Sequence, residues 1–140
     1  MSQYYDLGDE TLWNPSNGAA RLFHRQVALF EAELGLPSGI GPMENDECQI
    51  DPAALGVFTE ALVARHGHAG HAVIRALSGG FVATVLVLAE RAGAQACWLR
   101  PADSLEGARD VQVPLPGSYE ALAESELRAA ARELSRRMPR

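Results

Sequence analysis

Three of the four histidines fall in one stretch, "HGHAGH", where His66, His68 and His71 are spaced H-x-H-x2-H. Neutral imidazoles are good zinc ligands, and three of them with a water make a catalytic set. The usual spacings are i, i+4 on a helix or i, i+2 on a strand, and Gly67 and Gly70 interrupt the segment. Solvent-exposed turn histidines are the plainer reading, and no metal or other cofactor is expected. A second cluster, "ENDECQID", sets Glu44, Asp46, Glu47 and Asp51 within eight residues around Cys48. A calcium loop needs a D-x-D-x-D-G pattern, which is missing. Paired carboxylates do acid–base chemistry at a fixed separation, and nothing in this segment fixes one. A docking surface for a basic partner is more economical, and a solvated loop in which Asp51 only caps a helix is simpler still.

The remaining nucleophiles lack their settings. Ser78, in "LSGG", has no preceding glycine to make a nucleophile elbow. Cys48 and Cys97 are too few for a disulfide framework, no thiol-catalysis signature surrounds Cys48, and each reads as a buried thiol. There is no lysine; all twelve basic residues are arginine. That removes Walker-type phosphate loops, Schiff-base and pyridoxal enzymes, and S-x-x-K acyl transfer. No G-x-G-x-x-G occurs, so a dinucleotide-binding fold has no support. Arg128, Arg132 and Arg136 line up at i, i+4 as a ridge for phosphate or carboxylate, but interleaved acids make an ordinary solvated face the better reading.

A further candidate surface lies in "LWNPSNGAARLF". Asn14 followed by Pro15 reads as a helix N-cap with proline at the first helical position. Capping does not need an aromatic, so Trp13, with Tyr4 and Tyr5 nearby, is either half of an interface hot spot or a lid over the first helical turn.

The elements that must position these residues are mostly helical. Residues 3–13 read as a short hairpin turning at Gly8-Asp9. Ala19, Phe23, Val27, Phe30 and Leu34 form one helical face over about 15–34, closed by Gly35 and Pro37. The connection 36–51 is long, with a short extended piece at "CQI". Asp51-Pro52 repeats the capping device before a helix ending near Arg65. "HGHAGH" then breaks the chain, and a third helix over about 71–91 is apolar nearly all round from Phe81 to Ala89, which places it mid-fold. The apolar run Ala76–Ala89 is too short for a bilayer span. Residues 94–117 read as an irregular connection. Ser118 caps a last helix to about Arg137, with Glu124–Arg128 and Glu133–Arg137 as i, i+4 pairs and a thin stripe of Ala123, Leu127, Ala130 and Leu134. The expected architecture is a mainly α, single-domain bundle of about four helices with a small N-terminal β-hairpin: 1–13 arm, 14–93 helical core, 94–117 connection, 118–138 terminal helix.

Charge is uneven. Residues 1–60 hold ten acids against Arg21 and Arg25, while residues 128–140 hold five arginines and Glu133. An acidic front argues against nucleic acid as the main partner. The N-terminus has neither a basic n-region nor an apolar h-region, so a cytoplasmic location is expected.

"LWNPSNGAARLF", "GLPSGIGPMENDECQIDP" and "GFVATVLVLAERAG" resemble a family of small uncharacterised proteins of high-GC actinobacteria, catalogued as a domain of unknown function. The likeness covers roughly residues 3–93. It implies an intracellular single domain and transfers no activity or site.

The expected function is a small protein-interaction module. It would bind a basic partner through an acidic surface made by Trp13, Asn14, Glu44, Asp46, Glu47 and Asp51. An immunity-type inhibitor of a basic toxin domain is one concrete form. No nucleic acid or membrane is expected, and a homodimer is the structural variant. The alternative is a small-molecule-binding protein or metal-dependent hydrolase with its pocket between helices, using His66, His68 and His71.

Overall fold

The computed structural model describes residues 2–69, 71–94 and 119–140, the side chains of 119–123 excepted. The chain is mainly α. Strands β1 (Tyr4–Leu7) and β2 (Glu10–Trp13) precede helix α1 (Asn17–Leu34), then come β3 (Glu47–Gln49), α2 (Pro52–His68), α3 (Ala72–Arg91) and α4 (Tyr119–Arg137). Of the expected irregular connection 94–117, only Ala94 is described; the rest of it, Cys97 included, and the Ser118 cap lie outside the described residues.

Helix α3 sits in the middle of the bundle, packed on α2 and α4. From Phe81 to Ala89 it is buried on every side except at Thr84, as its unbroken apolar sequence requires. Its first half exposes Val73, Ile74 and Leu77, while Ser78 is buried. At twenty residues α3 is longer than the apolar run alone implies, and by length and composition it suffices to cross a membrane; half of that stretch is buried in the fold. Ser78-Gly79-Gly80 does not break it.

Helix α1 buries Ala20, Phe23 and Val27 and half-buries Phe30 and Leu34, so the stripe starts at Ala20 rather than Ala19. Its cap is a correction. Ser16, not Asn14, is the N-cap, accepting from the Ala19 amide at 3.4 Å. Asn14-Pro15 instead lies outside the helix, clasped from both ends of the chain. Gln3 N donates to Pro15 O at 3.0 Å and Asn14 N donates to Pro139 O at 2.9 Å. The second cap stands as expected: Asp51 Oδ1 accepts from Ala53 N at 3.0 Å and Ala54 N at 3.4 Å, with Pro52 at the start of α2.

The hairpin is part of a larger unit. β1 pairs antiparallel with β2 and parallel with β3, giving a three-stranded sheet of order β2-β1-β3. Tyr5 and Cys48 face inward as register partners and are fully buried. Tyr5 stacks on its cross-strand partner Trp13 with centroids 5.0 Å apart, and Phe23 of α1 meets Trp13 edge-on at 5.3 Å. The sheet is thereby locked to the first helix by aromatic packing. α4 presents Leu127 and Ala131 to the core, and Met138 just beyond its end is buried too; Ala130 is exposed.

Candidate functional site

The parallel pairing of β1 with β3 brings two acidic segments side by side. Its register is Tyr4 to Glu47, Tyr5 to Cys48 and Asp6 to Gln49. Because strand side chains alternate, burying Tyr5 and Cys48 turns Tyr4, Asp6, Glu47 and Gln49 to the opposite face. Asp9 and Glu10 follow at the β1–β2 turn, which Gln49 Oε1 ties back by accepting from Gly8 N at 3.2 Å. Glu44 and Glu47 exchange both backbone hydrogen bonds at 2.9 Å across Asn45 and Asp46. These two residues have φ of 52° and 65°, a left-handed pair that Asn and Asp tolerate better than other residues. Tyr4 N reaches Asp46 O at 2.8 Å, and Gln3 Nε2 reaches Asp46 Oδ1 at 3.3 Å, so the turn is held against the N-terminal arm.

Asp6 and Glu47 share the outer side of the sheet with Tyr4, which is 40% exposed, and Asp9, Glu44 and Asp46 lie in the adjoining turns. Asp6 is half-buried, with its Oδ1 shut off from solvent, and Glu10 is the register partner of the core-packed Leu7. Glu10 is partly neutralised by Arg140 at 3.1 Å. Of the acids singled out by sequence, Asp51 stands apart, its carboxylate spent on the α2 cap. Trp13 is 8% exposed, so it is a core residue and not a surface anchor. Asn14 has its side-chain oxygen buried, with no hydrogen-bond partner among the described residues. Asp9 and Glu10 fall in the 8–14 segment that the sequence already joined with 43–51 as an acidic surface. Asp6, which it did not single out, is brought beside β3 by the β1–β3 register, and the β1–β2 turn by the Gly8–Gln49 bond.

The histidines part company. His66 belongs to the last turn of α2, which runs through Gly67 to His68, so it is not an exposed turn residue. It is 8% exposed, and its Nδ1 lies 3.1 Å from Ser78 Oγ on α3. Ser78 Oγ donates to Ile74 O at 2.8 Å, so the hydroxyl accepts from Nδ1–H. In this arrangement the hydroxyl proton is directed to Ile74 O rather than to His66. Burial first, then Arg75, pushes the imidazole below its ordinary pKa, against an opposing pull from Glu126. One cavity of about 200 Å³ between α1, α2 and α3 and another of about 450 Å³ between α2, α3 and α4 border His66. His71 is exposed and makes no side-chain cap to α3. No three His, Cys, Asp or Glu side chains among the described residues converge as metal ligands. Cys48 Sγ donates to Gly41 O at 3.2 Å, and burial pushes its pKa up to about 11, so its thiolate is scarce at neutral pH.

A family model described as a family of unknown function (DUF6086) matches residues 1–140. It reaches the C-terminal third, which the sequence resemblance did not cover. No curated protein matches the chain, and no solved structure matches it.

Proposed function

We propose, for a chain that belongs to DUF6086, a family of unknown function, that it is an intracellular protein-interaction module binding a basic protein through the acidic outer face of its β2-β1-β3 sheet. The supporting observation is the parallel β1–β3 register, which sets Asp6 and Glu47 on one side of the sheet and brings the acid-bearing turns at Asp9 and at Glu44–Asp46 to the same strand pair. Complementary charge of this kind steers association and selects partners by sign. The face also offers Tyr4, an amphipathic side chain suited to an interface. A basic toxin domain held by an immunity-type inhibitor is a partner of this chemistry.

The test is affinity capture from the native lysate at low and at moderate salt, with the captured proteins weighed by mass spectrometry. Wild type is compared with a Glu44→Gln/Glu47→Gln/Asp9→Asn variant. A stoichiometric basic protein that elutes with salt and is lost by the variant supports the reading. Capture insensitive to both salt and the three substitutions refutes it.

A further inference from the structure

Arg21 and Arg25 are the only arginines among residues 1–60, and both fall on the first half of α1. They line one cavity of about 560 Å³ together with His24 and Asn17 of the same helix, Gln3 of the N-terminal arm and Met43 of the α1–β3 connection. No carboxylate lines it. Neither arginine has an ion-pair partner among the described residues, although ten acids surround them in sequence.

Three further features point to an anion. His24 Nε2 is buried with no hydrogen-bond partner among the described residues, a condition that native proteins normally relieve with water, an ion or a ligand. Burial favours the neutral ring, which serves an anion as the Nε2–H tautomer. Its ring is held against Tyr5, centroids 5.4 Å apart, so it cannot readily swing to solvent. Asn17 opens α1, whose first turn carries no acid to offset the positive end of the helix dipole. Gln3 Nε2 uses one hydrogen on Asp46 and retains the other.

We propose that this cavity binds a phosphate monoester, independently of the acidic-face reading. Two guanidinium forks and two amides offer more donors than the two oxygens of a carboxylate accept, whereas a phosphate head has three terminal oxygens suited to bidentate arginine. Met43 supplies an apolar wall for the organic part. Charges that oppose the anion include Asp46, bonded to Gln3, and Glu31, which acts on His24.

Titration calorimetry and NMR of the arginine and imidazole N–H signals test it, with glycerol 3-phosphate, inorganic phosphate and acetate as probes. Glycerol 3-phosphate is expected to bind tightest, acetate weakest, with the His24 ring and both arginine Nε signals shifting. Arg21→Gln or Arg25→Gln is expected to weaken binding at least about tenfold. Both side chains are exposed, so the melting temperature should hold. Inorganic phosphate binding as tightly as the ester would overturn the monoester assignment. Acetate binding equally, or phosphate binding that leaves His24 and both arginines unshifted, would overturn the site.

Discussion

Arg91, at the end of α3, donates through Nη1 to the backbone carbonyl of Leu12 on β2 at 2.6 Å, joining residues 79 positions apart. Its Nη2 donates to Ser135 O at 2.9 Å and Met138 O at 3.0 Å. One guanidinium thus ties the core helix to the sheet while satisfying carbonyls at the C-terminus of α4, where the helix leaves them without partners of its own.

Arg91→Met should cost roughly 2–4 kcal/mol, since charged hydrogen bonds are lost and partly buried carbonyls go unpaired. Arg91→Lys should recover only part of this, because an ammonium lacks the planar fork that spans separate acceptors. Chemical denaturation of the two variants measures both losses. Equal stability of wild type and Arg91→Met would show that the tie contributes nothing.

Gly39 should not tolerate a side chain. Its φ is +77°, and a Cβ there would lie 2.5 Å from Asp51 O and 2.6 Å from Leu55 N, both backbone atoms that cannot swing aside. Gly39→Ala is expected to destabilise by more than about 2 kcal/mol, from left-handed strain plus the clash. A melting curve that matches wild type would contradict the close approach of the 38–41 segment to the start of α2.

Cys48 should be inert in the native protein. In a Cys97→Ser background, a disulfide reagent at pH about 8 should react at the rate of unfolding, because the thiol pKa is raised and the group is 1% exposed. Addition of denaturant should release it at once. Fast native labelling would place Cys48 outside the core.

Acid should weaken the fold through two histidines. Burial lowers the pKa of His66, with Arg75 adding to it and Glu126 opposing; burial lowers that of His24, with Glu31 opposing. Above the unfolded value of about 6.5 both forms are neutral and the full stability is present. As pH falls through the folded values the unfolded chain binds the extra protons, so stability drops. Melting temperatures between about pH 7.5 and 5 should fall, and the NMR titration midpoints of both rings should lie below about 6.5. A midpoint above that value for His66 would contradict its buried, neutral state.

Several features were legible in the chain because their causes are local. The Phe23, Val27, Phe30 and Leu34 face is a 3.6-residue period, and Asp51-Pro52 is a cap within a few residues of the amides it serves. Glu124–Arg128 and Glu133–Arg137 follow from i, i+4 spacing alone and are formed at 2.5 and 3.0 Å. Asn14-Pro15 misled because it carries the same capping chemistry as Asp51-Pro52, yet Ser16 two residues on competes for the role. Pairing with Gln3 and Pro139 holds Asn14-Pro15 outside the helix.

By itself, then, the sequence determined four helices, their capping signals at Asp51 and Gly35, the burial of α3 and the acidic character of the first sixty residues. Tertiary structure alone decided that β3 lies parallel to β1, that Trp13 turns inward onto Tyr5 and Phe23, and that His66 meets Ser78 across two helices. The first set depends on periodicity and near neighbours along the chain. The second depends on which faces close over one another. Strand register from Tyr4 to Glu47 spans a whole helix and a long connection, and no local spacing encodes it.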